Sequence, residues 1–179
     1  MEAFTNVKAH PAIDLYAREG IRLVGAYLRR AVEDGADLEA RAGMALASLY
    51  GGYCLGPVNT AAGHAVAYPL STRHGISHGA ANAVIFAHML AFNAAAVPER
   101  TQEVLRLLGL EAVGDNAVFE AASQFCRDLG IETRLSRRGV PAEDFAAMAK
   151  EASAIRRLLD NNPRDLTEQD IRLIYEAAS

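Results

Sequence analysis

The sequence predicts an all-α bundle of about seven to eight helices in a single domain. Apolar residues recur at three- and four-residue steps almost throughout the chain. β-Branched runs are short and never alternate with polar residues over five positions, so no strand is predicted. The 179 residues are 51% apolar, enough to bury one sizeable core but too few for two full enzyme domains.

The helices can be placed in order. From Pro11, a stripe of Ile13, Tyr16, Gly20, Leu23, Val24, Tyr27 and Ala31 marks a long amphipathic helix, with Arg18, Arg22, Arg29 and Arg30 largely outside it. Pro11 suits its first turn, where a missing N–H costs nothing. His10, just before it, reads as a surface residue. The segment from Asp34 to Asp37 breaks the helix, and Asp37 is placed to cap the next, Leu38 to Leu55. That helix is apolar on most faces and rich in Ala and Gly, which predicts a place in the middle of the bundle. Gly56 to Thr60 interrupts it. A third helix is expected from Ala61 to about Tyr68, stopped by Pro69. A polar loop over Ser71 to Gly75 follows, then a fourth helix capped by Ser77 and running through Phe92. Further helices read at about 99–108, 116–129, 142–159 and 168–178, the last opened by a capping box of Thr167 and Asp170. The helices near 38–55 and 79–92 carry the most continuous apolar surface and are expected at the centre.

Charge narrows the function. Eighteen Lys and Arg against 22 Asp and Glu leave a net charge of −4, unlike a nucleic-acid or anionic-membrane binder. The first residues lack a signal peptide's basic and apolar regions, and no run of eighteen apolar residues occurs. Cys54 and Cys126 are too few for a disulfide framework or a cysteine-based zinc site. A cytoplasmic protein with neither nucleic acid nor membrane as partner is expected.

Three of the five histidines, His64, His74 and His78, fall within fifteen residues. His64 lies on an Ala-rich helix and His78 in the first turn of the next, beyond a chain reversal. Two imidazoles brought from facing elements to one point suit Zn²⁺ or Fe²⁺. A helix N-terminus also disfavours imidazolium, keeping His78 able to ligate. The pattern alone leaves the alternative open that both are packed core histidines. His74 and Arg73 read as solvated loop residues, and His88 as an inward, packed one.

The stretch His64-Ala-Val-Ala-Tyr68-Pro69-Leu70, then His78-Gly79-Ala-Ala-Asn82-Ala83, then His88-Met-Leu-Ala-Phe92-Asn93 resembles the second signature of the iron-containing (group III) alcohol dehydrogenases. The thirteen residues between His64 and His78 match that family's spacing between its last two metal-ligand histidines. The resemblance extends through the long helix after Pro11 to Asn162-Pro163-Arg164-Asp165-Leu166-Thr167-Glu168, and so covers essentially the whole chain. It implies the helical C-terminal domain of the dehydroquinate synthase-like fold, with His64 and His78 as two of four ligands to Fe²⁺ or Zn²⁺. The family's other two ligands, an Asp and a His, come from an Asp-Ala-x-x-His-Ala-x-Glu motif, of which Glu2-Ala3-Phe4 looks like the tail. The Gly-rich nucleotide-binding domain that precedes this motif in the family has no counterpart in residues 1–179. The chain therefore reads as one helical metal-binding domain, truncated, with that N-terminal domain as missing partner; a homodimer is compatible with it.

Many family members carry a histidine four residues after the first signature histidine, where this sequence has Tyr68. Residues 64 and 68 share a helix face, so the phenol would lie beside the metal and could pass on a proton, although its ordinary pKa of about 10 makes it a poor base. A packing role for Tyr68 stays open. Asn59 and Asn82 read as turn or capping residues, with outer hydrogen bonds to the site as the alternative. The implied activity is NAD(P)-dependent hydride transfer to or from a small alcohol or aldehyde. The rival reading is a non-catalytic helical assembly or interaction module derived from the family. A helical metal hydrolase would need an HD-type or carboxylate-rich motif, and none is visible.

Overall fold

A computed structural model describes residues 1–112 and 116–179. Among them lie ten α-helices and no β-strand: α1 (Glu2–Thr5), α2 (Pro11–Glu33), α3 (Leu38–Leu55), α4 (Ala62–His74), α5 (His78–Ala94), α6 (Pro98–Leu108), α7 (Ala117–Asp128), α8 (Phe145–Ser153), α9 (Arg156–Leu159) and α10 (Glu168–Ala177). No helix among the described residues is long and apolar enough to cross a membrane.

The ends of α2 and α3 follow their local chemistry. Pro11 opens α2, and His10, exposed as expected, accepts the Ala12 N–H on its Nδ1 at 3.2 Å. Asp37 caps α3 by accepting the Ala40 N–H at 3.0 Å. The two helices form a hairpin that needs a bare backbone at Gly43, where a Cβ would stand 2.3 Å from the Tyr27 ring of α2. At Gly25 a Cβ would fall 2.4 Å from the Leu107 carbonyl oxygen, so only glycine lets α2 lie this close to α6.

The core has two lobes. One joins α4, α5, α8 and α10 through Val66, Leu70, Ile85, Met148, Ile171 and Tyr175. The other joins α1, α2, α5, α6 and α7 through Phe4, Ile21, Leu90, Val104, Leu105 and Ala122. Burying each large side chain contributes about 1.5–3 kcal/mol. Helix α5 feeds both lobes, Ile85 and Met89 to one, Ala87 and Leu90 to the other, which is the central place expected for it.

Helix α3 is not central. It packs chiefly on α2, and Leu46 and Leu49 on its other side are 39 and 48% exposed. Its all-round apolarity therefore serves one face within this chain and leaves the other open.

The expected stop at Pro69 does not occur. Helix α4 runs through that buried proline to His74, so residues 71–74 are helical rather than a loop. An interior proline costs about 3 kcal/mol. Burial offsets it here: Ala65, Val66, Ala67 and Leu70 are fully buried. The Tyr175 hydroxyl also donates to the Val66 carbonyl at 2.6 Å, next to the carbonyl that Pro69 deprives of its donor. Helix α4 ends at Gly75, whose φ of 65° is left-handed.

Two further boundaries differ. Ser77 is the residue before α5 but makes no side-chain capping bond. The segment 142–159, expected as one helix, is a 3₁₀ turn (Ala142–Asp144) followed by α8 and α9, parted at Ala154 and Ile155. Near the break the Ser153 hydroxyl bonds back to the Lys150 carbonyl, a local competitor for helix hydrogen bonding. The split lets Leu158 and Leu159 turn into the core.

Candidate metal centre

His64 sits in the first turn of α4 and His78 at the first position of α5. The α4–α5 reversal brings their ring centroids to 5.2 Å. Tyr68, one turn along α4 from His64, places its ring 6.1 Å from that of His78. These three side chains form one cluster.

Glu2, on α1, completes it. Its Oε1 accepts the His64 backbone N–H at 3.2 Å, and its Oε2 bonds His64 Nδ1. Burial alone would push this carboxyl up. The hydrogen bond and electrostatic attraction to His64, with smaller help from a backbone donor at Ala61 and the nearby N-terminal ammonium, outweigh that and hold it below the usual carboxylate range. The one-turn helix that carries Glu2 is anchored by Arg100, which donates to the Phe4 carbonyl at 2.6 Å and to the buried Asp14 at 2.8 and 3.1 Å.

His64 and Glu2 stand at the polar end of a cavity of about 320 Å³, with Asn59, Thr60 and Asn82. Its walls are apolar, from Tyr16, Ile21, Val24, Leu55 and Phe86 among others. His78 is exposed beside it. The Asn82 amide nitrogen lies 3.3 and 3.5 Å from the two ring nitrogens of His78 and donates to the His78 carbonyl at 3.0 Å. Asn59 has a turn role: its φ is 77° and its Oδ1 accepts the Thr60 N–H at 2.7 Å.

The remaining histidines lie elsewhere. His74 is not the solvated loop residue expected but a largely buried one on α4, its Nε2 3.4 Å from Asp144. Arg73 likewise sits on the helix, paired with Glu151 at 2.8 Å. His88 packs on Phe119 with centroids 4.8 Å apart, and burial lowers its pKa. Among the described residues no group of three or more His, Cys, Asp or Glu gathers as a metal cage.

A family model for the C-terminal part of the Fe-containing alcohol dehydrogenases matches residues 1–179. The chain belongs to this family. It is 34% identical over 184 residues to a long-chain-alcohol dehydrogenase of Geobacillus thermodenitrificans, covering 99% of this chain and 47% of that protein. With a 1,3-propanediol dehydrogenase of Klebsiella pneumoniae the identity is 34% over 188 residues, with the same two coverages. Among solved structures, a 1,3-propanediol oxidoreductase superposes with a TM-score of 0.92 at 35% identity, over 99% of this chain and 48% of that one. An alcohol dehydrogenase from Oenococcus oeni gives 0.91 at 30%, with the same coverages. The chain thus spans about half the length of the relatives it matches, and its all-helical fold is that of the family's C-terminal domain.

Within this iron-type domain, sequence reasoning missed the work of Glu2. Its only signal was the Glu2-Ala3-Phe4 motif tail, and nothing in the linear sequence ties residue 2 to residue 64.

Proposed function

We propose that this chain is the metal-binding half of an iron-type, NAD(P)-dependent alcohol dehydrogenase, with His64 and His78 as two of four ligands to Fe²⁺ or Zn²⁺. The observation that carries the reading is the 5.2 Å between their ring centroids. Two imidazoles bound to one tetrahedral ion at about 2.0–2.1 Å hold their centroids about 5 Å apart. The donors are suitable too: imidazole nitrogen suits both ions. Bound there, the ion would act as a Lewis acid toward an alcohol or carbonyl oxygen.

The chain's own residues would do the rest. Helices α4 and α5 would hold the two imidazoles side by side, His64 against the apolar cavity and His78 at the surface. Tyr68 would donate or relay a proton beside the ligand pair. The substrate would be a small alcohol or aldehyde, and the nicotinamide would be held by the N-terminal domain that relatives carry, since residues 1–179 contain no Gly-x-Gly-x-x-Gly phosphate loop. The open apolar face of α3 favours a second reading, a helical interaction module without catalysis.

Calorimetric titration with Zn²⁺, and with Fe²⁺ under anaerobic conditions, tests the first reading. Wild-type chain and His74→Ala should bind one ion weakly, while His64→Ala and His78→Ala should each lose it. Equal binding by all four would overturn the ligand assignment.

A further inference from the structure

Helix α4 begins without a side-chain cap of its own, because Ala61 holds the capping position. The Glu2 carboxylate arrives there from α1. One oxygen takes the His64 backbone N–H, a first-turn donor with no partner inside the helix, and the other takes the His64 ring nitrogen Nδ1. The carboxylate reaches this position over Gly63, where a Cβ would stand 2.6 Å from Glu2 Oε1. The Glu2 side chain is only 14% exposed, so water does not compete strongly for either oxygen.

We infer that Glu2 is a positioning residue that fixes His64 as the Nδ1–H tautomer and leaves Nε2 as its free lone pair, with Gly63 kept bare to admit the carboxylate. An ionised carboxylate only accepts, so the ring nitrogen it touches must carry the hydrogen. Nε2 is then the nitrogen free to ligate, on the ring edge directed away from Glu2. Metal-ligating histidines are commonly held this way, the second N–H fixed by a carboxylate. The role in ligation rests on the metal reading above; the tautomer does not.

The two oxygens also separate capping from tautomer control. In Glu2→Gln the amide oxygen can keep the His64 backbone N–H. The amide NH₂ then replaces the second oxygen and donates to Nδ1, which moves the ring hydrogen to Nε2. The helix start is retained while the tautomer inverts. In Gly63→Ala the new methyl displaces the end of a flexible side chain rather than backbone, so the fold is kept and both bonds are lost.

Long-range ¹H–¹⁵N NMR of the ¹⁵N-labelled 179-residue chain reads this directly, at a pH where the His64 ring is neutral and with His64→Gln to assign it. The wild type should show Nδ1 protonated and Nε2 unprotonated. Glu2→Gln should exchange the two signatures at unchanged helical circular dichroism, and Gly63→Ala should lose the Nδ1–H preference. Zn²⁺ affinity should fall by about 10–100-fold in Glu2→Gln. A wild-type ring protonated on Nε2, or a Glu2→Gln ring still protonated on Nδ1, overturns the inference. If the tautomers behave as expected but Zn²⁺ moves neither the His64 nor the His78 signals, the positioning role stands and the ligand reading falls.

Discussion

Asp14 is 3% exposed, and its carboxylate depends on a single guanidinium. Arg100 grips it with two nitrogens, donates to the Phe4 carbonyl and lies 4.7 Å from the centroid of the Phe4 ring. Those contacts join α6 to α2 and to the short helix that carries Glu2. A one-turn helix is not stable by its own hydrogen bonds, so its position comes from such tertiary ties. Removing Arg100 would leave a buried charge unpaired and free the segment that delivers Glu2 to His64. Arg100→Ala should therefore destabilise the chain by about 3 kcal/mol in urea unfolding. The doubly truncated Arg100→Ala/Asp14→Ala chain should recover part of that loss, because the orphaned charge is gone. No recovery would mean that the Phe4 contacts, not the ion pair, hold α1.

At the scale of elements, α10 has an N-terminus that works as a reciprocal unit. Thr167 Oγ1 lies 3.1 Å from the Asp170 N–H that it accepts, and Asp170 Oδ2 accepts the Thr167 N–H at 2.9 Å. The bonds from Thr167, side chain first and backbone second, hold the Asp170 carboxyl below its ordinary value of 3.8. A depressed carboxyl stabilises the fold above its unfolded pKa and stops doing so as pH falls through its folded value. Thr167→Ala should cost about 1 kcal/mol near neutral pH. That difference from wild type should shrink as the pH is lowered from about 4 through the folded pKa of Asp170, followed by thermal melts across the range. A difference independent of pH would assign the cost to the hydroxyl alone. This capping box was legible in the sequence because its partners are three residues apart. So were Pro11, Asp37 and the period of α2, all local signals. Pro69 was not, because the burial of Leu70 and the Tyr175 hydroxyl that carry the helix past it come from far along the chain. The bond between Glu2 and His64 escaped for the same reason, its partners being 62 positions apart.

For the whole molecule, the open face of α3 and the domain's share of its family belong together. A helix apolar on nearly every side looked like a central one, yet here Leu49 and Tyr53 stay about half exposed. Periodicity tells how much surface a helix wants covered; it does not tell which chain covers it. The relatives are about twice as long as the segment they share with this one. Residues 1–179 supply the two imidazoles, the apolar cavity and Tyr68, but no Gly-rich loop whose N–H groups could cradle a pyrophosphate. The 179-residue chain by itself should therefore show no saturable quenching or calorimetric signal with NADH or NADPH, and no turnover of ethanol or 1,3-propanediol with Fe²⁺ or Zn²⁺ added. Joined in one polypeptide to the N-terminal half of the Klebsiella pneumoniae relative, it should gain nicotinamide binding, and with it turnover that His64→Ala and His78→Ala both abolish. Turnover by the isolated 179 residues would show that the helical domain holds the nicotinamide without a phosphate loop. Nicotinamide binding by the joined protein, with turnover that survives both histidine substitutions, would move the chemistry away from this cluster altogether.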